Sequence, residues 1–204
     1  MCDIVIIRPP ATLYDEQGRI QGRLDLPSAE DDGSPCEELI AELESLAVKA
    51  VLTDPGEPAA GYAAAIGQRL RVPVKTKEDL RNVDQGLWQG LKLDEIRRKY
   101  PRLIKQWEEQ PDSVRPPDGE SLADASERVR KALKKPLKKS GVVAVVVAEP
   151  LASLVASIVS GEDRLRRGPV CSGDGDAAEL VRRPADHADE AALAAATSGA
   201  EDAR

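Results

Sequence analysis

Val142 to Val147 is an unbroken run of valine and alanine. A strand with no polar residue on either face must be covered on both sides, which places it inside a sheet that lies between two helical layers. Glu149-Pro150 follows, and then Leu151 to Val159, a second apolar stretch. The two stretches together approach membrane-spanning length, but a charge and a proline divide them at the middle. They therefore read as buried strand, turn and helix, and not as a membrane span.

Other segments repeat the strand-then-helix rhythm. Ile4 to Ile7 is a short apolar run stopped by Arg8-Pro9-Pro10. Val48 to Thr53 is a second strand candidate, closed by Asp54-Pro55-Gly56, and Val72-Pro73-Val74 is a short edge-like segment. Leu39, Ile40, Leu43, Leu46 and Ala47 share one helical face, as do Tyr62, Ala63, Ile66 and Leu70. Ile96, Tyr100, Leu103, Ile104 and Trp107 follow helical spacing, with Pro101 dividing the stretch into two short helices. Ser121 is placed to N-cap a further helix with Asp124 as its reciprocal partner, and Leu122, Ala125, Val129 and Leu133 form the buried face. Pro136 should end that helix. Leu13 to Ser34, rich in Gly, Asp and Pro, is expected to be a long loop. One strand is expected at Ala178 to Arg182. The fold class expected is a three-layer α/β/α sandwich with a mostly parallel central sheet. One domain spans residues 1–183, and an acidic, Ala-rich tail without order spans 184–204.

Composition narrows the function classes. The formal net charge of −7 opposes nucleic-acid binding, which needs a basic surface to displace counterions. Three cysteines, Cys2, Cys36 and Cys171, stand far apart without a C-x-x-C pair. They read as free thiols of a reducing compartment, and no metal site or other cofactor is expected. With no basic, apolar leader at the N-terminus, the expected location is the cytoplasm.

Short motifs occur in a telling order. Arg8-Pro9-Pro10-Ala11-Thr12 follows the first strand, and Gln21-Gly22-Arg23-Leu24-Asp25-Leu26-Pro27 comes next. Pro55 and Ala59 follow the second strand. Leu80-Arg81-Asn82 precedes Gly86-Leu87-Trp88-Gln89-Gly90, then Tyr100-Pro101, then Pro117-Asp118-Gly119-Glu120-Ser121-Leu122. Together they resemble the histidine phosphatase (phosphoglycerate mutase-like) superfamily over roughly residues 3–160. In that family the first strand ends in R-H-G-E-T, the second runs into S-P-L-x-R-A, and the last is followed by S-H-G.

The resemblance implies a nucleophilic histidine that forms a phosphohistidine, and a carboxylic acid that protonates the leaving oxygen. It also implies two arginines and a second histidine around the phosphoryl group. The matching positions here are Pro9 for the nucleophile, Asn82 for the acid, Pro58 for the second arginine and Ala148 for the second histidine. Of that set only Arg8 remains. The chain's single histidine is His187, far along the sequence. Loss of a hydrolase nucleophile alone costs on the order of a million-fold in turnover. The expectation is therefore a pseudoenzyme without phosphatase activity, serving as a binding, regulatory or scaffolding protein for an unknown protein partner or for itself.

Several readings stay open at this stage. Arg8 and Asn82 are candidates for residual anion or ligand binding; the alternatives are a strand-end ion pair for Arg8 and a local turn contact for Asn82. Glu57 and Glu149 either face the old pocket and invert its charge or point to solvent. Trp88 and Trp107 read as core. A second function class is an enzyme of changed mechanism that uses carboxylates such as Asp54, Glu57, Asp84 and Glu149 with a metal; its mark would be three or more carboxylates converging on the old pocket. A third is an ordinary phosphatase or mutase, which the missing histidines oppose.

Overall fold

Strand β1 (Cys2–Ile7) owes its position to its side chains: Ile4 and Ile6 point into one hydrophobic cluster, Val5 and Ile7 into another. Successive strand residues face opposite sides, so a strand apolar at both parities must have a layer on each. The computed structural model describes residues 2–29, 34–110, 114–161 and 178–182. The tail expected at 184–204 lies outside the described residues, as does Cys171.

After β1 come α1 (Leu13–Glu16) and α2 (Glu37–Ser45), then β2 (Val48–Thr53), α3 (Ala59–Leu70) and β3 (Val74–Thr76). Next are α4 (Leu93–Lys99), α5 (Pro101–Glu109) and α6 (Leu122–Lys134), then β4 (Gly141–Val146), α7 (Leu151–Ser160) and β5 (Ala178–Val181). The sheet order is β3-β2-β4-β1-β5. β1 and β4, β2 and β4, and β2 and β3 pair in parallel; β5 alone runs antiparallel, against β1. The mostly parallel sheet is thus as expected.

Helices α2 and α3 cover one face of the sheet, through Leu39, Ile40, Leu43, Tyr62, Ala63 and Ile66. Helices α6 and α7, with Ile96, Ile104 and the two tryptophans, cover the other. Each fully buried aliphatic side chain contributes about 1.5–3 kcal/mol relative to exposure, so a sheet buried on both faces needs no aromatic core. Trp88 and Trp107 are buried with ring centroids 5.8 Å apart. Ser121 and Asp124 form the reciprocal cap of α6, and Pro101 opens α5 at its first turn. Among the described residues no helix is long and apolar enough to cross a membrane.

One expectation is corrected here. The stretch 13–34 is not all loop, because Thr12 and Asp15 cap each other and start α1. A threonine followed three residues later by a carboxylate satisfies two orphan N–H groups without needing an apolar face, so periodicity could not reveal it.

Gly67 marks the closest approach of α3 to β3. A Cβ there would lie 2.1 Å from Val74 Cγ2. Gly67→Ala should therefore destabilise the fold by about 1–3 kcal/mol through overpacking, although alanine is the better helix former. Urea unfolding checks this, and a more stable variant would show that the helix can shift.

Candidate functional site

The C-terminal ends of parallel strands leave backbone and loops free to build a cleft. Here β2 ends by presenting Asp54, and β4 is followed by Ala148. The 81–82 loop and the 21–25 loop close the sides. Thr53 Oγ1 lies 3.1 Å from the carbonyls of both Val146 and Ala59, which ties the ends of β2 and β4 to the start of α3.

Asp54 is only 6% exposed. Its two carboxylate oxygens accept hydrogen bonds from Gly56 N at 2.7 Å and Asn82 N at 2.9 Å. Burial pushes its carboxyl above the ordinary carboxylate range. The N–H groups of Gly56 and Asn82 and the Arg81 charge pull against that rise, while the Asp25 charge adds to it. Asp25 stands across Gly56 from Asp54. It accepts from Glu57 N at 3.2 Å, and its other oxygen lies 3.6 Å from Arg81 Nη2. A Cβ on Gly56 would sit 2.6 Å from Asp25 Oδ1 and 3.3 Å from Asp54 Oδ1, so the two carboxylates crowd the same residue, and a larger residue there would push the Asp25 side chain aside. Asp54 is buried and the Asp25 side chain is largely exposed, an asymmetry of environment of the kind by which paired carboxylates divide acid and base roles.

The positions singled out in the sequence are distributed as follows. Pro58, Asn82 and Ala148 line the cleft together with Glu57. Pro9 follows β1, just after Arg8. The Arg8 side chain donates from Nε to Glu149 Oε1 at 2.8 Å and lies 3.6 Å from Glu179. Glu149 also accepts from Ser153 N and Oγ at the start of α7, so it faces Arg8 and that helix, and not the cleft. Glu57 accepts from Gly61 N and stays exposed. Asn82 is buried; its amide donates to the Glu149 carbonyl and its side-chain oxygen accepts from Val83 N. Asp84 is held by Arg23. Asp25, Asp54 and Glu57 line the cleft; of the four carboxylates named from the sequence, Asp84 and Glu149 do not. Among the described residues no group of three or more His, Cys, Asp or Glu is disposed to hold a metal ion.

Sequence reasoning missed Asp25, Arg23 and Arg81 as cleft residues. Each had been read only as part of a loop motif, and the loops meet only in three dimensions.

Behind the cleft lies an ion-pair network. Arg23 reaches Glu120 at 3.0 Å and donates to the Asn82 carbonyl at 3.0 Å. Arg128 reaches Glu120 at 2.6 Å. Burial would raise the Glu120 carboxyl, but the hydrogen bonds from Arg128 and from Asp84 N, with the charges of Arg128 and Arg23, hold it below the ordinary range.

The fold is an α/β sandwich with a cleft at the C-terminal ends of its parallel strands. Residues 4–168 match the histidine phosphatase superfamily (branch 1), and the chain belongs to that superfamily. Phosphoserine phosphatase 1 of Hydrogenobacter thermophilus is 28% identical over 136 residues, 66% of this chain and 64% of that protein. A bifunctional protein of Mycobacterium tuberculosis is 34% identical over 84 residues, 41% of this chain and 23% of its own length. The chain thus spans less than two thirds of the length of these relatives. A mycobacterial glucosyl-3-phosphoglycerate phosphatase superposes with a TM-score of 0.66 at 22% identity, covering 80% of this chain and 81% of that one. The alpha-ribazole phosphatase of Shigella flexneri gives 0.63 at 19% identity, covering 79% and 81%. At these identities the solved structures establish a shared fold.

These relatives correct the functional expectation. A non-catalytic pseudoenzyme kept for protein binding is not what they support, since those with a named activity are phosphatases. The inference from Pro9, Asn82 and Ala148 counted only residues of one chemistry, that of phosphohistidine. It ranked second an enzyme built on carboxylates, of which Asp54 and Glu57 do line the cleft.

Proposed function

We propose that the chain hydrolyses phosphomonoesters in this cleft through the carboxylate pair Asp54 and Asp25, with Arg81 as the phosphoryl-binding cation. The observation that carries the reading is Asp54, a buried carboxyl of raised proton affinity on the cleft wall beside the Asp25 carboxyl group and the Arg81 guanidinium. In its protonated form Asp54 gives its proton to the leaving oxygen as the P–O bond breaks. Asp25 takes a proton from the attacking water, which forms the new P–O bond. Arg81, 3.6 Å from Asp25, turns to the equatorial oxygens and offsets their charge. No histidine stands among the described residues, so the proton and the attack are assigned to these groups.

The named phosphatases among the relatives support the reaction class, and phosphoserine is the first substrate to try. The free thiols of buried Cys2 and exposed Cys36 fit a cytoplasmic setting.

Release of inorganic phosphate from an aryl phosphate and from phosphoserine tests the reading. Saturable turnover that follows the protein through purification is expected, with KM raised at least about tenfold in Arg81→Gln, since hydrogen bonds to charged groups are worth about 1.5–3 kcal/mol. Homogeneous protein that releases no phosphate above the blank anywhere in the acid to neutral range overturns it.

A further inference from the structure

All five N–H groups of Arg128 are engaged. Nε and Nη2 donate to the two oxygens of Glu120, at 3.0 and 2.6 Å. Nη1 donates to the carbonyls of Asp79 and Arg81, and Nη2 to that of Asn82 at 3.2 Å. A guanidinium offers five donors in one plane and accepts nothing. Three of them here grip the backbone of a single loop, and that loop supplies two cleft groups from its other side. Its Asn82 N–H meets Asp54 at 2.9 Å, and its Arg81 guanidinium lies over Asp25. Arg128 itself lines none of the cleft.

We infer that Arg128 is a positioning residue for this site: by clamping the carbonyls of residues 79, 81 and 82 it aims the Asn82 N–H at Asp54 and sets the root of Arg81 at the cleft. The inference rests on the assignment of Asp54 as the acid. Glu120 is the anchor of the clamp, since it also accepts from Asp84 N at 2.9 Å and from Arg23. A lysine keeps the charge but has no planar fork, so it cannot hold three carbonyls and a carboxylate at once.

The charges that act on Asp54 are Arg81 of the clamped loop and Asp25 of the 21–25 loop, and Arg23 and Glu57 line the same cleft. Glu149, after β4, is turned to Arg8. With the clamp released, Asp54 loses the Asn82 N–H, which stabilises its ionised form, and holds its proton to higher pH.

The test is a carbon-13 titration of the Asp54 carboxyl in the full chain, run beside the pH–rate profile, for Arg128→Lys and Glu120→Gln. Arg69→Ala, which breaks an exposed pair with Glu37, is the control. In both clamp variants the Asp54 midpoint should rise by about half a unit to one unit. The limb where the rate falls should move up with it, and kcat/KM should drop roughly tenfold to a hundredfold. The control should shift neither. An Asp54 midpoint unmoved in folded Arg128→Lys and Glu120→Gln overturns the inference, whatever the turnover. A midpoint that moves in a protein without turnover sinks the hydrolase reading and leaves the positioning role standing.

Discussion

Asp54→Asn is expected to lower kcat/KM toward an aryl phosphate by about 10²–10⁴-fold, the range a positioned general acid supplies. The substitution is nearly isosteric, so the cleft keeps its shape, but the amide has no proton to release at working pH. One of the two backbone donors, Gly56 N or Asn82 N, must also face the new NH2 group in place of an oxygen. The pH dependence supplies a second signature. Asp54 acts while protonated, so the rate should fall as pH rises through its raised pKa, and that limb should be absent from any residual activity of the variant.

The same group leaves a mark on stability. Its folded-state pKa lies above the ordinary value of 3.8, so the native state binds the proton more tightly than the unfolded chain does. The stability it contributes is therefore fully present below 3.8 and is lost as pH rises through the folded-state value. Urea unfolding at several pH values should show Asp54→Asn without that decline. Initial rates unchanged in Asp54→Asn would remove Asp54 from the mechanism altogether.

The layers of the fold were legible because they depend on local pattern. Val142 to Val147 could only be an interior strand, and Ser121 with Asp124 could be read as a cap without knowledge of what α6 covers. The site was less legible because its parts are joined by contacts between distant loops. Asp54 was visible as a turn residue after β2, whereas Asp25 became its neighbour only when the 21–25 loop folded over Gly56. Glu57 and Glu149 show the limit most sharply. Each precedes a proline, and each accepts from the backbone N–H four residues on, Gly61 and Ser153 respectively. Only Glu149 meets Arg8, which arrives from the end of β1. Nothing in the local sequence distinguishes the glutamate that lines the cleft from the one that closes an ion pair. The expectation of a non-catalytic protein arose at the same limit: it asked whether one known set of residues was present, and that question does not reveal what other side chains the fold gathers in the same place.

Glu120→Ala is expected to destabilise the protein by about 1.5–3 kcal/mol, the worth of hydrogen bonds to a charged group in a partly buried ion pair. The Glu120 and Arg128 side chains are 14% and 16% exposed. Without the carboxylate, Arg128 keeps its carbonyl partners but loses its counter-charge, and Arg23 and Asp84 N lose an acceptor as well. The contrast is with Arg69 and Glu37, 44% and 77% exposed, where water replaces the partner and Glu37→Ala should leave the unfolding midpoint unchanged. Acid provides an independent check on the sign. Glu120 is held below its ordinary value of 4.5 in the folded state, so its contribution is present above 4.5 and is lost as pH falls through the folded-state pKa. The gap between wild type and Glu120→Ala in urea unfolding should therefore be widest near neutral pH and close as the solution is acidified below that range. Asp54 and Glu120 push in opposite directions along the pH axis, so the two variants separate their contributions. A Glu120→Ala protein as stable as wild type at neutral pH would mean that the loop behind the cleft holds its place without the carboxylate.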